Sequence, residues 1–118
     1  MPAALPPATA LGRRLRAARL AKELTQAQLG ELLFGEEDPN VAAPRVSRWE
    51  RGLHKPDLET IERLAKLLDL PAAYFVASSE VLAEAILIIS QLSPRKQKEA
   101  LGLLKELSST KRRMDIAR

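Results

Sequence analysis

The segment Val46-Ser47-Arg48-Trp49-Glu50-Arg51-Gly52 constrains this 118-residue chain more than any other. It puts an apolar residue, a short hydroxyl residue and two arginines on a short stretch of helix, then stops at a glycine suited to the left-handed turn that ends helices. Val46 and Trp49, three residues apart, are natural inward anchors, which leaves Arg45, Ser47, Arg48 and Arg51 facing outward or flanking. Upstream, Thr25-Gln26-Ala27-Gln28-Leu29-Gly30 reads as the opening of another helix, with Thr25 accepting the orphan amide hydrogens at its start.

Apolar spacing extends this pattern along the chain. A first helix is expected from Thr9 or Ala10 to about Lys22, with Leu11, Leu15, Ala18 and then Leu24 on the buried side, and Arg13, Arg14 and Arg16 mostly off that stripe. The second runs from Gln26 to about Phe34 and buries Leu29, Leu32 and Leu33, with Gly30 bare where another helix crosses. The third is placed at Pro44 to Arg51, since proline is tolerated in a first turn. Asp57 caps a fourth helix marked by Leu58, Ile61, Leu64, Ala65 and Leu68, and Pro71 opens a short fifth in which Tyr74 and Phe75 close the base of the core. No alternating apolar-polar run argues for a strand.

The remainder divides into smaller parts. Residues 1–8, with three prolines, read as a flexible arm, without the basic start and apolar run of a signal peptide. Residues 9–77 form the main domain. From Ser78, Val81, Leu82, Ala85, Ile86, Ile88, Ile89 and Leu92 make a helix that is apolar on more than one side. Ser93-Pro94 then opens another, carrying Ala100, Leu101, Leu104 and Leu107. So short a link implies an antiparallel hairpin over 78–108, which must pack on the first domain or on a copy of itself. Residues 109–118, with Lys111-Arg112-Arg113, read as a frayed, basic, flexible tail.

Composition narrows the chemistry. Hydrophobic residues make up 46% of the chain, enough for a real core, and the net charge of +4 suits a polyanionic partner. The absence of cysteine excludes disulfides, thiolate metal sites and cysteine nucleophiles, and His54, the single histidine, is a poor metal site by itself. With no phosphate-cradling glycine loop, no evident acid partner for His54 and no calcium-ligand spacing in Glu36-Glu37-Asp38, neither an enzyme nor a cofactor is expected. The most apolar run, Val81 to Ile89, contains Glu84 and is too short to span a bilayer, so a cytoplasmic protein with no membrane partner is expected.

What remains is groove recognition, which needs one helix held rigidly by others with hydrogen-bonding side chains on its outer face. Arginine pairs with the O6 and N7 edge of guanine, so Arg48 is the first candidate for base readout and Arg45 the second. Gln26, Arg51, His54 and Lys55, at helix ends or in the loop after Gly52, are placed to hold phosphates and fix register without reading sequence.

Together the two segments resemble the lambda-repressor-like (Xre/Cro) helix-turn-helix regulators, over roughly Leu11 to Phe75. That resemblance implies an all-α, five-helix DNA-binding domain, here followed by the C-terminal hairpin. It also implies base-reading positions at Ala43, Pro44, Ser47 and Arg48, of which Ala43 and Pro44 offer only apolar contact. Arg19 and Glu50 match family positions that form a partly buried ion pair joining the first helix to the recognition helix. The chain departs from the family at residues 34–43, a connection about six residues longer than usual between the second and third helices, whose acidic tip would repel phosphate.

The implied partner is double-stranded DNA, bound by a homodimer formed through residues 78–107 that represses at an inverted repeat. Two alternatives stay open: an antitoxin holding a toxin partner through its C-terminal helices, and an interaction adaptor that uses the fold without reading DNA.

Overall fold

A computed structural model describes residues 9–35 and 38–117, and every regular element among them is a helix. The elements are α1 (Ala10–Ala21), α2 (Gln26–Phe34), α3 (Pro39–Glu50), α4 (Leu58–Leu67), α5 (Ala72–Val76), α6 (Glu80–Gln91) and α7 (Pro94–Ala117). The arm over residues 1–8 and the acidic pair Glu36-Glu37 lie outside the described residues.

Local chemistry sets the boundaries. Thr9 caps α1 by accepting from the Gly12 amide, and Asp57 caps α4 by accepting from the Thr60 amide. Thr25 and Gln28 form a reciprocal box at the start of α2: the Thr25 hydroxyl accepts from the Gln28 amide at 3.0 Å and the Gln28 side chain accepts from the Thr25 amide at 2.8 Å. Gly52 ends α3 with φ of 74°, which lets its amide donate to the Trp49 carbonyl while Leu53 donates to Arg48.

Leu15, Leu29, Leu33 and Val46 are the largest fully buried side chains, and Trp49, Ile61, Leu64, Leu68 and Phe75 complete the core around them. Leu32 and Leu58, expected inside, are 52% and 65% exposed. On α2 the buried face runs through Leu29, Gly30 and Leu33, and Leu58 sits in the first turn of α4, one turn before the buried stripe of Ile61, Leu64 and Ala65.

Helix α3 corrects the placement of the third helix at Pro44. It starts five residues earlier, with Asp38 accepting from the Asn40 amide and Pro39 in the first turn. Most of the long connection is therefore helix. Ala42 explains why: it is fully buried, and a Cβ added at Gly30 would lie only 2.6 Å from its Cβ, so the extra turn docks where α2 has no side chain. Pro44 consequently lies inside the helix, where it cannot donate to the Asn40 carbonyl.

The C-terminal helices also depart from expectation. Helix α6 packs on α5, whereas α7 meets α6 only sparsely, with Gln97 reaching back to the Ile89 carbonyl at 2.9 Å. Every residue from 101 to 109 is exposed, so the second half of the expected hairpin stands away from the first. The helical backbone of α7 extends to Ala117, through most of the segment expected as a tail. This projecting helix contributes to an outline of 60 × 32 × 24 Å.

Candidate nucleic-acid interface

The site is built on α3 and what grips it. Ala42, Val46, Trp49 and Glu50 are buried and form its inner face, while Arg48 is exposed and Ala43, Pro44 and Ser47 are half-buried on its outer and flanking sides. One sequence segment thus supplies both the anchor and the reading surface, because residues three or four apart in a helix share a face and their neighbours do not.

Glu50 is the polar anchor. Its carboxylate accepts from Arg19 twice, from Nε at 2.6 Å and from Nη2 at 3.0 Å, and the pair is almost fully buried. Arg19 Nη1 also donates to the Leu24 carbonyl at 2.8 Å, so one guanidinium ties α1 to α3 and to the turn that enters α2. A buried pair of charges left half-broken is costly, and here Glu50 accepts a further hydrogen bond from the Gln26 side chain. Gly12 brings α1 against the same spot, since a Cβ there would fall 2.2 Å from the Glu50 carbonyl oxygen.

The candidate readers fall into two groups. Arg48 is exposed, whereas the Arg45 guanidinium lies 4.4 Å from the centre of the Phe34 ring, and that ring packs on Trp49 with centroids 6.1 Å apart. Among the candidate phosphate ligands, Arg51, His54 and Lys55 are exposed around the turn after α3. The His54 and Leu53 amides are both held by the Arg48 carbonyl, which fixes this loop beside the C-terminal end of the helix. Gln26 is different: its side chain donates to Glu50 at 3.2 Å, so it belongs to the buried network as well as to the α2 start.

Sequence reasoning missed three supports. The Thr25-x-x-Gln28 box was readable as a local pattern. Arg63, which donates to the Leu33 carbonyl at the end of α2, and Arg14, which is 4% exposed although it was placed off the buried stripe, carry no local signal. Arg14 is buried because its partners are main-chain carbonyls about sixty residues away.

Comparisons with known proteins agree with this geometry. A family model described as a helix-turn-helix domain matches residues 10–74, more than half of the chain. A solved structure described as a crystal structure of the transcriptional regulator BswR matches with a TM-score of 0.74 and 37% identity, over 84% of this chain and 96% of its own. Comparison with curated proteins finds no match. With an all-helical fold, a matching domain model and a regulator of similar structure, the chain belongs to the helix-turn-helix family, as an Xre-like regulator.

Proposed function

We propose that this DNA-binding regulator is a cytoplasmic, dimeric repressor that occupies an inverted-repeat operator and acts by occlusion rather than catalysis. The observation that carries the reading is the division of α3: Val46, Trp49 and Glu50 are held inside while Arg48 stands exposed beside Ser47 on the other side. In this reading α3 enters the major groove, Arg48 pairs with a guanine edge, and Ser47 makes a shorter polar contact. Ala43 and Pro44 offer apolar surface to a thymine methyl, and Arg45, beside Phe34, is a second reader. Arg51, His54, Lys55 and the amides at Gln26 hold phosphates on either side.

Dimerisation is inferred from the C-terminal arm formed by α6 and α7. Val81 is 79% exposed and Leu107 70%, and Ala100, Leu103, Leu104 and Leu107 recur at the i, i+3, i+4, i+7 spacing of a packing face on a helix whose residues 101–109 are all exposed. Such a face suits the same face of a second copy, and a two-fold dimer presents two recognition helices to two half-sites about 10 base pairs, or a multiple of that, apart.

The test is selection of bound sequences from random duplex DNA by the intact protein, with light scattering of the same sample. An enriched inverted repeat together with twice the chain mass is expected. A monomer at micromolar concentration, or enrichment of no sequence, overturns the reading.

A further inference from the structure

Helix α1 carries two buried arginines that point to different parts of the molecule. Arg19 grips the recognition helix through Glu50. Five residues earlier, Arg14 grips the joint between α5 and α6: its Nη1 donates to the carbonyls of Tyr74 at 3.2 Å, Phe75 at 3.3 Å and Ala77 at 2.8 Å. Its Nη2 donates to the Ser79 carbonyl at 3.4 Å and to the Glu80 carboxylate at 3.2 Å. Arg13 reaches the same Glu80 oxygen at 2.7 Å from the exposed side. The guanidinium also lies 5.8 Å from the centre of the Tyr74 ring, and its Nε is buried without a partner.

A charge left with one unsatisfied donor is a poor way to fill a core, since an apolar side chain of the same volume would cost less to bury. What the planar fork supplies is direction, because its donors fix several carbonyls at set angles. Here those carbonyls span residues 74–79, the end of the DNA-binding body and the first residues of the arm. We propose that Arg14, with Glu80, is a positioning residue for operator recognition. It locks the arm's angle to α1, which Arg19 locks to α3, and so sets the distance between the two recognition helices of a dimer.

The inference rests on the dimeric, operator-binding reading above. It makes half-site spacing, rather than half-site sequence, the property that Arg14 governs. Two linked contacts reinforce each other only where the geometry allows both to form, so a rigid joint rejects a wrong spacing that a loose joint tolerates.

The experiment measures affinity of the full chain for a series of inverted repeats that differ only in spacer length, with a single half-site as reference. It compares the intact protein with Arg14→Lys, which keeps the charge but not the fork, and with Glu80→Ala, at a side chain 67% exposed whose loss leaves the core intact. The intact protein is expected to discriminate the best spacer from its neighbours one base pair longer or shorter by roughly tenfold or more. Arg14→Lys should flatten that profile, Glu80→Ala should flatten it less, and both should leave single half-site affinity unchanged. A profile as sharp in both variants as in the intact protein overturns the positioning role alone, as does a loss equal at every spacing. A flat profile in the intact protein overturns this inference, and affinity no tighter than that for the single half-site at every spacing overturns the dimeric reading with it.

Discussion

Helices α4 and α7 are written in the same pattern and meet opposite fates. In α4, Ile61, Leu64 and Ala65 turn into the core and are at most 6% exposed; in α7, Ala100, Leu103 and Leu104 repeat the spacing, and Leu103, Leu104 and Leu107 are 49–70% exposed. Helical periodicity states that a face needs a partner, but not which chain supplies it. For α4 the partners are α2 and α5 of the same molecule; in α7 every residue from 101 to 109 is exposed.

The largest effect that can break this contrast comes from charging the two faces. Leu104→Glu with Leu107→Glu should leave the melting temperature of the body nearly unchanged, because both side chains are already in water. It should abolish the dimer and lower operator affinity by about 10²–10⁴-fold as the second half-site contact is lost. Leu64→Glu, at the equivalent kind of position in α4, should instead unfold the domain. Light scattering, thermal melts and binding isotherms on the same three proteins separate the outcomes. A double variant that stays dimeric would place the interface elsewhere.

Next comes the buried ion pair that ties α1 to α3. Arg19→Ala is expected to destabilise the body by about 3–5 kcal/mol, because it leaves Glu50 buried without its main partner. Removing both partners should cost less than the sum of the single changes. Denaturant titration of the single and double variants measures the coupling, and strict additivity would mean that the short contacts between the two groups contribute nothing net.

A smaller effect separates reading from holding. Arg48→Ala should cost ~1–3 kcal/mol on the selected operator and relax preference at one position per half-site, whereas Lys55→Ala should weaken all duplexes alike and reduce the salt dependence. Competition with specific and random DNA distinguishes them. An equal loss on both DNAs for Arg48→Ala would remove it from base readout.

The same two regions explain what the sequence could reveal. The α2 boundaries, the caps at Thr25 and Asp57, the glycine stop at Gly52 and the inward pair Val46 and Trp49 follow from interactions within a few residues, which is the range over which pattern works. The Arg19–Glu50 contact was reachable only through the family resemblance, since nothing local links residues so far apart. The early start of α3 was hidden because Pro44 looks like a first-turn proline, and the reason it is not lies in the Gly30–Ala42 crossing, a contact between helices. Arg14 was invisible for a related cause: its partners are backbone carbonyls, which every sequence supplies.

The smallest expected effect tests the caps. Serine opens both arm helices, with Ser79 accepting from the Leu82 amide and Ser93 from the Lys96 amide, and neither hydroxyl titrates. The cap of α4 does titrate. The Thr60 hydroxyl, and after it the Thr60 amide, donate to the Asp57 carboxylate and hold its pKa below the ordinary 3.8. A carboxyl whose pKa is lower in the folded chain than in the unfolded one adds stability that is present above the unfolded pKa and is lost as pH falls through the folded value. Acid should therefore loosen the start of α4 before it affects the starts of α6 and α7. Asp57→Ser replaces the charged cap with an uncharged one that still accepts from the amide. The melting-temperature gap between the intact protein and this variant should hold steady from about pH 7 to pH 5 and narrow below about pH 4, the range in which the carboxylate takes up its proton. Parallel curves down to about pH 2 would show that the Thr60 contacts survive protonation and that the body and the arm start their helices with equal tolerance of acid.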